Sequence, residues 1–180
     1  PNTSMLTAHT FVDPIKGGVL LSVYQDALGQ EENFMARLGY AYHLEPLSNG
    51  AIISAGLAAS MFQKKLGNDW IAIDDYTQDA AIPNNSTSSS TIDLDFGVFI
   101  RKPGSFYAGL SASHLLETEL TDLSIQPRRH IYAMGGYTHQ LDGDYLLLRT
   151  NVLAKTDIAA TIADINVNVL WNQMVWGGLS

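Results

Sequence analysis

The residues with the most chemical potential are one serine, five histidines and two groups of aspartates. Ser111 lies in Gly109–Ser113 (GLSAS), close to the nucleophile-elbow pattern G-x-S-x-G. The pattern fails at its last position, where Ser113 replaces glycine, and no helix follows to complete the strand–turn–helix context. Small residues on a barrel's inner face are the favoured reading. The histidines are His9, His43, His114, His130 and His139. A metal site on one element needs His-x-His on a strand or an i, i+4 pair on a helix. His130 and His139 fall in one predicted strand, about 30 Å apart at roughly 3.3 Å per residue, so they share no ion. Asp69, Asp74, Asp75 and Asp79 crowd one loop and make a weak Ca²⁺ candidate, the only cofactor considered. Calcium takes about six to eight oxygens. The spacing departs from the EF-hand loop, and a solvated acidic loop is favoured. Asp93 and Asp95 share a strand face with Arg101; Arg37, His43 and Glu45 share another. Paired carboxylates suit glycoside hydrolysis, but an inward polar ladder neutralised by arginine is favoured. No catalytic residue is assigned, and the chain reads as a non-enzyme.

Composition narrows the classes further. The chain has 180 residues, enough for one domain with a sizeable core. Ten Lys and Arg stand against 18 Asp and Glu, a net charge of −8, so a phosphate-tracking nucleic-acid binder is disfavoured. Charged residues are 16% of the chain, against roughly a quarter in soluble domains, while the hydrophobic share is an ordinary 46%. Much of the surface is therefore covered by small neutral residues or by something other than water. The absence of cysteine excludes disulfide scaffolds and thiol chemistry. No apolar run reaches the roughly 18 residues of a transmembrane helix.

The elements that must carry these residues alternate with period 2, the strand signature. From Asn33 to Glu45, Phe34, Ala36, Leu38, Tyr40, Tyr42 and Leu44 make one apolar face. Met35, Arg37, Gly39, Ala41, His43 and Glu45 make the other. Ala51 to Lys65, Ile92 to Lys102, Phe106 to Ser113, Tyr145 to Lys155 and Thr161 to Trp171 repeat the pattern. Gly17 to Tyr24 is weaker, and Arg129 to Leu141 is strand-like with ambiguous facing. Turns are marked at Pro46–Gly50, Lys102–Ser105 and Asp142–Asp144. This predicts about eight antiparallel strands, with one helical turn allowed at Asp69–Tyr76. The stretch 66–91 is the longest loop and contains the polar run Asn84–Thr91.

Alternating hairpins fit a soluble sandwich or lipocalin-like barrel with apolar faces inward. They also fit a transmembrane barrel with apolar faces on lipid. Three features favour the membrane. The polar faces are rich in Gly, Ser, Ala and Asn. Aromatics gather near strand ends, at Tyr40, Tyr42, Phe106, Tyr107, Tyr145, Trp171 and Trp176, as an interfacial girdle would. The strands are long for a soluble sheet. Arg37, His43, Asp93, Asp95, Arg149 and Lys155 are then predicted to face the lumen.

Several segments resemble the PorP/SprF family of outer-membrane proteins of the type IX secretion system. They are Leu38–Leu44 (LGYAYHL) with Gly50 and Ser54–Leu57 (SAGL), Asp93–Val98 (DLDFGV), Phe106–Leu115 (FYAGLSASHL) and Arg129–Tyr137 (RHIYAMGGY). Tyr145–Lys155 (YLLLRTNVLAK), Asp164–Asn168 (DINVN) and Trp176–Ser180 (WGGLS) follow. In the Tyr145 segment Arg149, Thr150 and Asn151 replace the family's Lys-Pro-Ser, a weaker match. The resemblance runs from about Thr10 to the end, and the order and spacing of the segments carry it. It implies a Gram-negative outer-membrane β-barrel larger than the strands covered here, with residues 1–180 as one incomplete barrel domain. It implies no catalysis, but a role in exporting or anchoring surface proteins, often gliding adhesins, through their C-terminal domains. Other secretion components and the lipid bilayer are the further partners.

Long loops of such barrels lie outside and short turns in the periplasm. The stretches 66–91 and 114–127 are then extracellular, with Trp70, Tyr76, Leu115 and Leu116 as candidate partner contacts. A small structural or adhesive outer-membrane barrel, and a soluble lipocalin-like carrier of an apolar ligand, are the alternatives.

Overall fold

A computed structural model describes residues 2–68 and 85–180. Trp70, Tyr76, Asp69, Asp74, Asp75, Asp79 and the helical turn expected at Asp69–Tyr76 lie outside the described residues. Ten strands form one antiparallel meander in which each pairs with the next in sequence. They are β1 (Asn2–Val12), β2 (Gly17–Leu28), β3 (Glu31–His43), β4 (Ile52–Leu66) and β5 (Thr87–Lys102). β6 (Phe106–Ser113), β7 (His130–Asp142), β8 (Leu146–Thr156), β9 (Thr161–Trp171) and β10 (Val175–Leu179) complete the sheet. No helix among the described residues is long and apolar enough to cross a membrane.

The sheet has two strands more than the eight predicted. β1 escapes detection because its faces barely differ: Leu6, Ala8 and Val12 on one side meet Met5 and Phe11 on the other. β10 is five residues long, too short for a clear period. β5 starts at Thr87, so Ser88–Thr91 is strand and not loop, pairing with Lys65 through Phe62. A serine run carries no apolar alternation, yet its backbone completes the ladder. The sheet is open, with β1 and β10 as its edges, so a closed barrel is not formed by these strands. Periodicity reports which neighbours pair and which way side chains point; it contains nothing about whether the first and last strands meet.

The turns follow local chemistry. Pro103 presets φ and Gly104 takes φ +73° between β5 and β6, closed by the Ser105 N–H on the Lys102 carbonyl. Connections at 13–16, 44–51, 103–105, 143–145 and 172–174 gather at one end of the meander, here the turn end. The connections after β2, β4, β6 and β8 lie at the opposite, loop end. In the last of these, the Asp157 carboxylate accepts the Ala160 N–H at 2.8 Å and is held below the ordinary carboxylate range by it. At the turn end, the hydrogen bond from Lys16 to Glu45 holds the ammonium above its usual value. Both of those groups are exposed, so the pair contributes little to stability.

The two faces of the sheet are chemically opposite and their burial is inverted. One face carries Leu21, Leu38, Leu57, Ile92, Leu94, Phe96, Leu110, Ile165 and Val167, all exposed. The other carries Ser22, Ser60, Ser89, Thr91 and Asp93, all buried. Neighbours on β5 show it most sharply: Ile92 is 63% exposed and Asp93 is 3% exposed. Among the described residues only Ala51, Leu120 and Leu147 are buried apolar side chains. A sheet packed for water has the reverse arrangement. Exposed apolar area of this extent marks a face covered by something other than water.

The facing of β7 is also settled. His130, Tyr132, Met134, Gly136, Thr138 and Gln140 lie on the polar face, since Tyr132 pairs with Ser111 and Gly136 with Tyr107. On the apolar face Tyr40, Tyr42, Phe106, Tyr137 and Trp171 sit toward the turn end, with Tyr145 in the adjoining turn. Tyr145 packs edge-on against Trp171 at 5.8 Å, and the Tyr40 hydroxyl donates to the Ile15 carbonyl at 2.7 Å. These amphipathic rings form one belt at one end of the apolar face, as an interfacial girdle would. Tyr107 and Trp176, also expected in it, lie on the polar face because their strand parity is opposite to that of Phe106 and Trp171.

Candidate functional site

The polar face begins with a row of small residues. Gly18, Ala41, Gly56, Gly97 and Ser111 stand in register across β2 to β6. They floor a trough of about 440 Å³, rimmed by His9, Arg37, Asp95 and Phe99. Ser111 is therefore a mid-strand residue between Gly97 and Tyr132, not the sharp turn that an elbow nucleophile occupies.

Arg37, His43, Asp93, Asp95, Arg149 and Lys155 all lie on this face. The structure brings two of them into contact. Arg37 on β3 reaches across β4 to Asp95 on β5, at 3.1 Å. The reach depends on Ala58 and Ser60 between them, which are small enough to pass under the guanidinium. His43 instead packs its ring on Phe11, 5.4 Å away. Arg149 lies opposite Thr138 and Asn168, and Lys155 opposite Tyr132 and Ile162.

Asp93 holds a second cluster. Its Oδ1 accepts the N–H groups of Leu94 at 2.7 Å and Leu116 at 3.1 Å, and its Oδ2 lies 2.8 Å from His114 Nδ1. Asp95 Oδ1 accepts the His114 N–H at 3.3 Å. Thr91 Oγ1 donates to the Thr118 carbonyl at 3.4 Å. These bonds draw the segment 114–129 onto the polar face at the loop end. It is folded over that face instead of standing clear of it as a simple surface loop. Leu115 N–H binds the Leu94 carbonyl, Leu116 keeps an exposed side chain, and Leu120 is fully buried. β6 ends at Ser113 while β5 runs on to Thr87, which leaves the space that the segment fills.

A third group spans β6 to β9. Tyr107 Oη donates to Asn151 Oδ1 at 3.0 Å, Asn151 Nδ2 donates to Asn166 Oδ1 at 3.4 Å, and Asn168 donates to the same oxygen. The Tyr107 ring closes on Gly136, where an added Cβ would sit 2.3 Å from Tyr107 Cε1 and 2.6 Å from Asn151 Oδ1. Gly136→Ala is expected to displace the ring, break the Tyr107–Asn151 bond and cost about 1–3 kcal/mol. Urea titration of the protein in lipid vesicles reads that loss, and an unchanged midpoint contradicts it.

The arrangement is a set of intramolecular contacts that position side chains across the strands and hold the 114–129 segment. Among the described residues no group of three or more His, Asp or Glu side chains converges to hold a metal ion. Sequence reasoning found the face but not the roles of His114, Glu117, Arg129, Tyr107 and Asn151. Of these Tyr107 and Asn151, each on an alternating strand, left a usable trace.

Comparison with known proteins identifies a family. No curated protein and no solved structure matches the chain. A family model described as type IX secretion system membrane protein PorP/SprF matches residues 1–180. With that match spanning a sheet whose large apolar side chains are exposed on one face while its buried polar side chains lie on the other, the chain belongs to the PorP/SprF family of type IX secretion system membrane proteins.

Proposed function

We propose that this protein is an outer-membrane component of type IX secretion, its ten strands forming part of a closed β-barrel. Its loop end faces outside and holds the C-terminal domain of an exported surface adhesin, of the kind used in gliding. The turn end meets other secretion components in the periplasm. The role is binding, not turnover. The family match across residues 1–180 carries the secretion assignment.

The inverted sheet supports the barrel. Phe34 to Tyr42 spans roughly 27 Å along its strand, or about 20 Å at the usual tilt, near the height of a barrel's apolar band. In lipid an open strand edge leaves N–H and C=O groups unpaired at several kcal/mol each, so β1 and β10 need partners there. The polar face then lines the lumen, and the Arg37–Asp95 ion pair and the Asp93–His114 hydrogen bond lie inside.

The test is an affinity pull-down of the tagged full-length protein from detergent-solubilised membranes, with mass spectrometry. The expected result is recovery of a large surface protein, lost when that protein's C-terminal domain is deleted, together with secretion components. Recovery of the protein alone in the soluble fraction overturns the proposal.

A further inference from the structure

The segment 114–129 is tied to itself more than to the sheet. Within it, Leu120 N–H binds the Ile125 carbonyl at 2.8 Å and Leu123 N–H binds the Leu120 carbonyl at 3.0 Å. Gln126 Nε2 donates to the Glu117 carbonyl at 3.0 Å, and Arg129 Nη2 donates to the Leu115 carbonyl at 2.9 Å. Arg129 also pairs with Glu117 at 3.6 Å. A segment cross-linked in this way keeps its shape when it moves. Its ties to β5 are few and centre on two carboxylates. Asp93 takes Leu116 N–H and the His114 ring; Asp95 takes His114 N–H. The Leu115 N–H on the Leu94 carbonyl and the weak Thr91–Thr118 bond complete them. At its start, His114 and Glu117 hold φ of +55° and +48°, a left-handed backbone that side chains other than glycine rarely adopt. Strained backbone of this kind clusters at switch segments.

We propose that residues 114–129 form a strap latched onto the polar face by Asp93 and Asp95, and that it leaves this seat as a unit. Release bares Thr91 and Asp93, a hydroxyl and a carboxylate with free acceptor capacity, at the loop-end half of the face. Resting on the barrel reading above, the strap regulates access from outside to that half of the lumen. The latch works because one carboxylate, Asp93, concentrates two hydrogen bonds to the strap, from Leu116 N–H and the His114 ring, in a site only 3% exposed. Removing that charge releases the strap while leaving the ladder of β4 and β5 whole.

Residues 1–180 contain no cysteine, so a thiol introduced among them, in protein whose remaining cysteines, where present, are replaced by serine, is a unique reporter. Thr91→Cys places it under the strap, at a position 6% exposed. Full-length protein in lipid vesicles is treated with a membrane-impermeant maleimide. Labelling of Thr91→Cys is expected to be slow with Asp93 present and about tenfold faster with Asp93→Ala, the lower end for loss of a charge-assisted hydrogen bond. Leu120→Ala, which touches neither carboxylate, is expected to accelerate it as well, so the test survives if one variant misfolds. Equal rates in all three backgrounds overturn the strap. Leu110→Cys on the apolar face is the separate control. Slow labelling there in every background shows the sheet inserted and folded. Fast labelling sinks the membrane reading, and the strap is then judged on the Thr91→Cys ratio alone, which a sheet in water reports equally well.

Discussion

Leu110→Arg is expected to cost about 2–4 kcal/mol and to remove most folded protein from the bilayer, whereas Ser111→Arg next to it is expected to be nearly neutral. Both positions are exposed and both lie in the middle of β6, so exposure does not distinguish them. Facing does. Leu110 shares its face with Val98 and Ala133, and Ser111 shares the other with Gly97 and Tyr132. Phe106, in the aromatic belt, precedes Leu110 by four residues, about 10 Å of depth at the usual tilt, which in the proposed barrel puts Leu110 near mid-bilayer. In that barrel a guanidinium at this depth would have no water and no partner. At Ser111 the same group enters the trough beside Asp95. The fraction of each variant resistant to urea in vesicles measures the difference. Equal tolerance of both substitutions contradicts the assignment of faces.

Arg37→Leu is expected to destabilise the protein by about 1–3 kcal/mol, and Arg37→Leu with Asp95→Asn by clearly less. The single change leaves the Asp95 carboxylate, 17% exposed, without the guanidinium at 3.1 Å. The cost comes mainly from that uncompensated charge, and partial exposure of Arg37 keeps it below the value for a dry interior. Neutralising Asp95 removes the charge and so recovers part of the loss. A double-mutant cycle from urea titrations in vesicles gives the coupling. Additive single and double variants would show that the pair is not energetically linked.

How much was legible in the sequence follows from the range of each interaction. The facing of β3, β4, β5, β8 and β9 is a local period-2 property, and Phe34–Tyr42 against Met35–His43 displays it directly. Lys102–Ser105 and Asp142–Asp144 were equally readable, because Pro103, Gly104 and Gly143 fix their own backbone. The polar residues Arg37, His43, Asp93, Asp95, Arg149 and Lys155 were placed on one face by the same parity. The strap was not readable. Its decisive contacts join Asp93 to a main-chain N–H 23 residues away, and a backbone donor leaves no mark in side-chain pattern. The Arg37–Asp95 bridge skips a whole strand, so it depends on the smallness of Ala58 and Ser60 more than on the charges themselves. β1 was lost because both its faces mix Thr with apolar residues, which flattens the contrast that periodicity needs.

The central claim is that the exposed apolar face meets lipid and the polar face meets water. Spin labels attached singly at Leu38, Gly39, Tyr40, Ala41, Leu110, Ser111 and Ala112, in full-length protein reconstituted in vesicles, test it most directly. Collision with dissolved oxygen and with a water-soluble nickel complex is then read at each site. Oxygen access is predicted to peak at 38, 40, 110 and 112, and nickel access at 39, 41 and 111, in strict alternation. High nickel access at all seven sites would show water on both faces and contradict the claim.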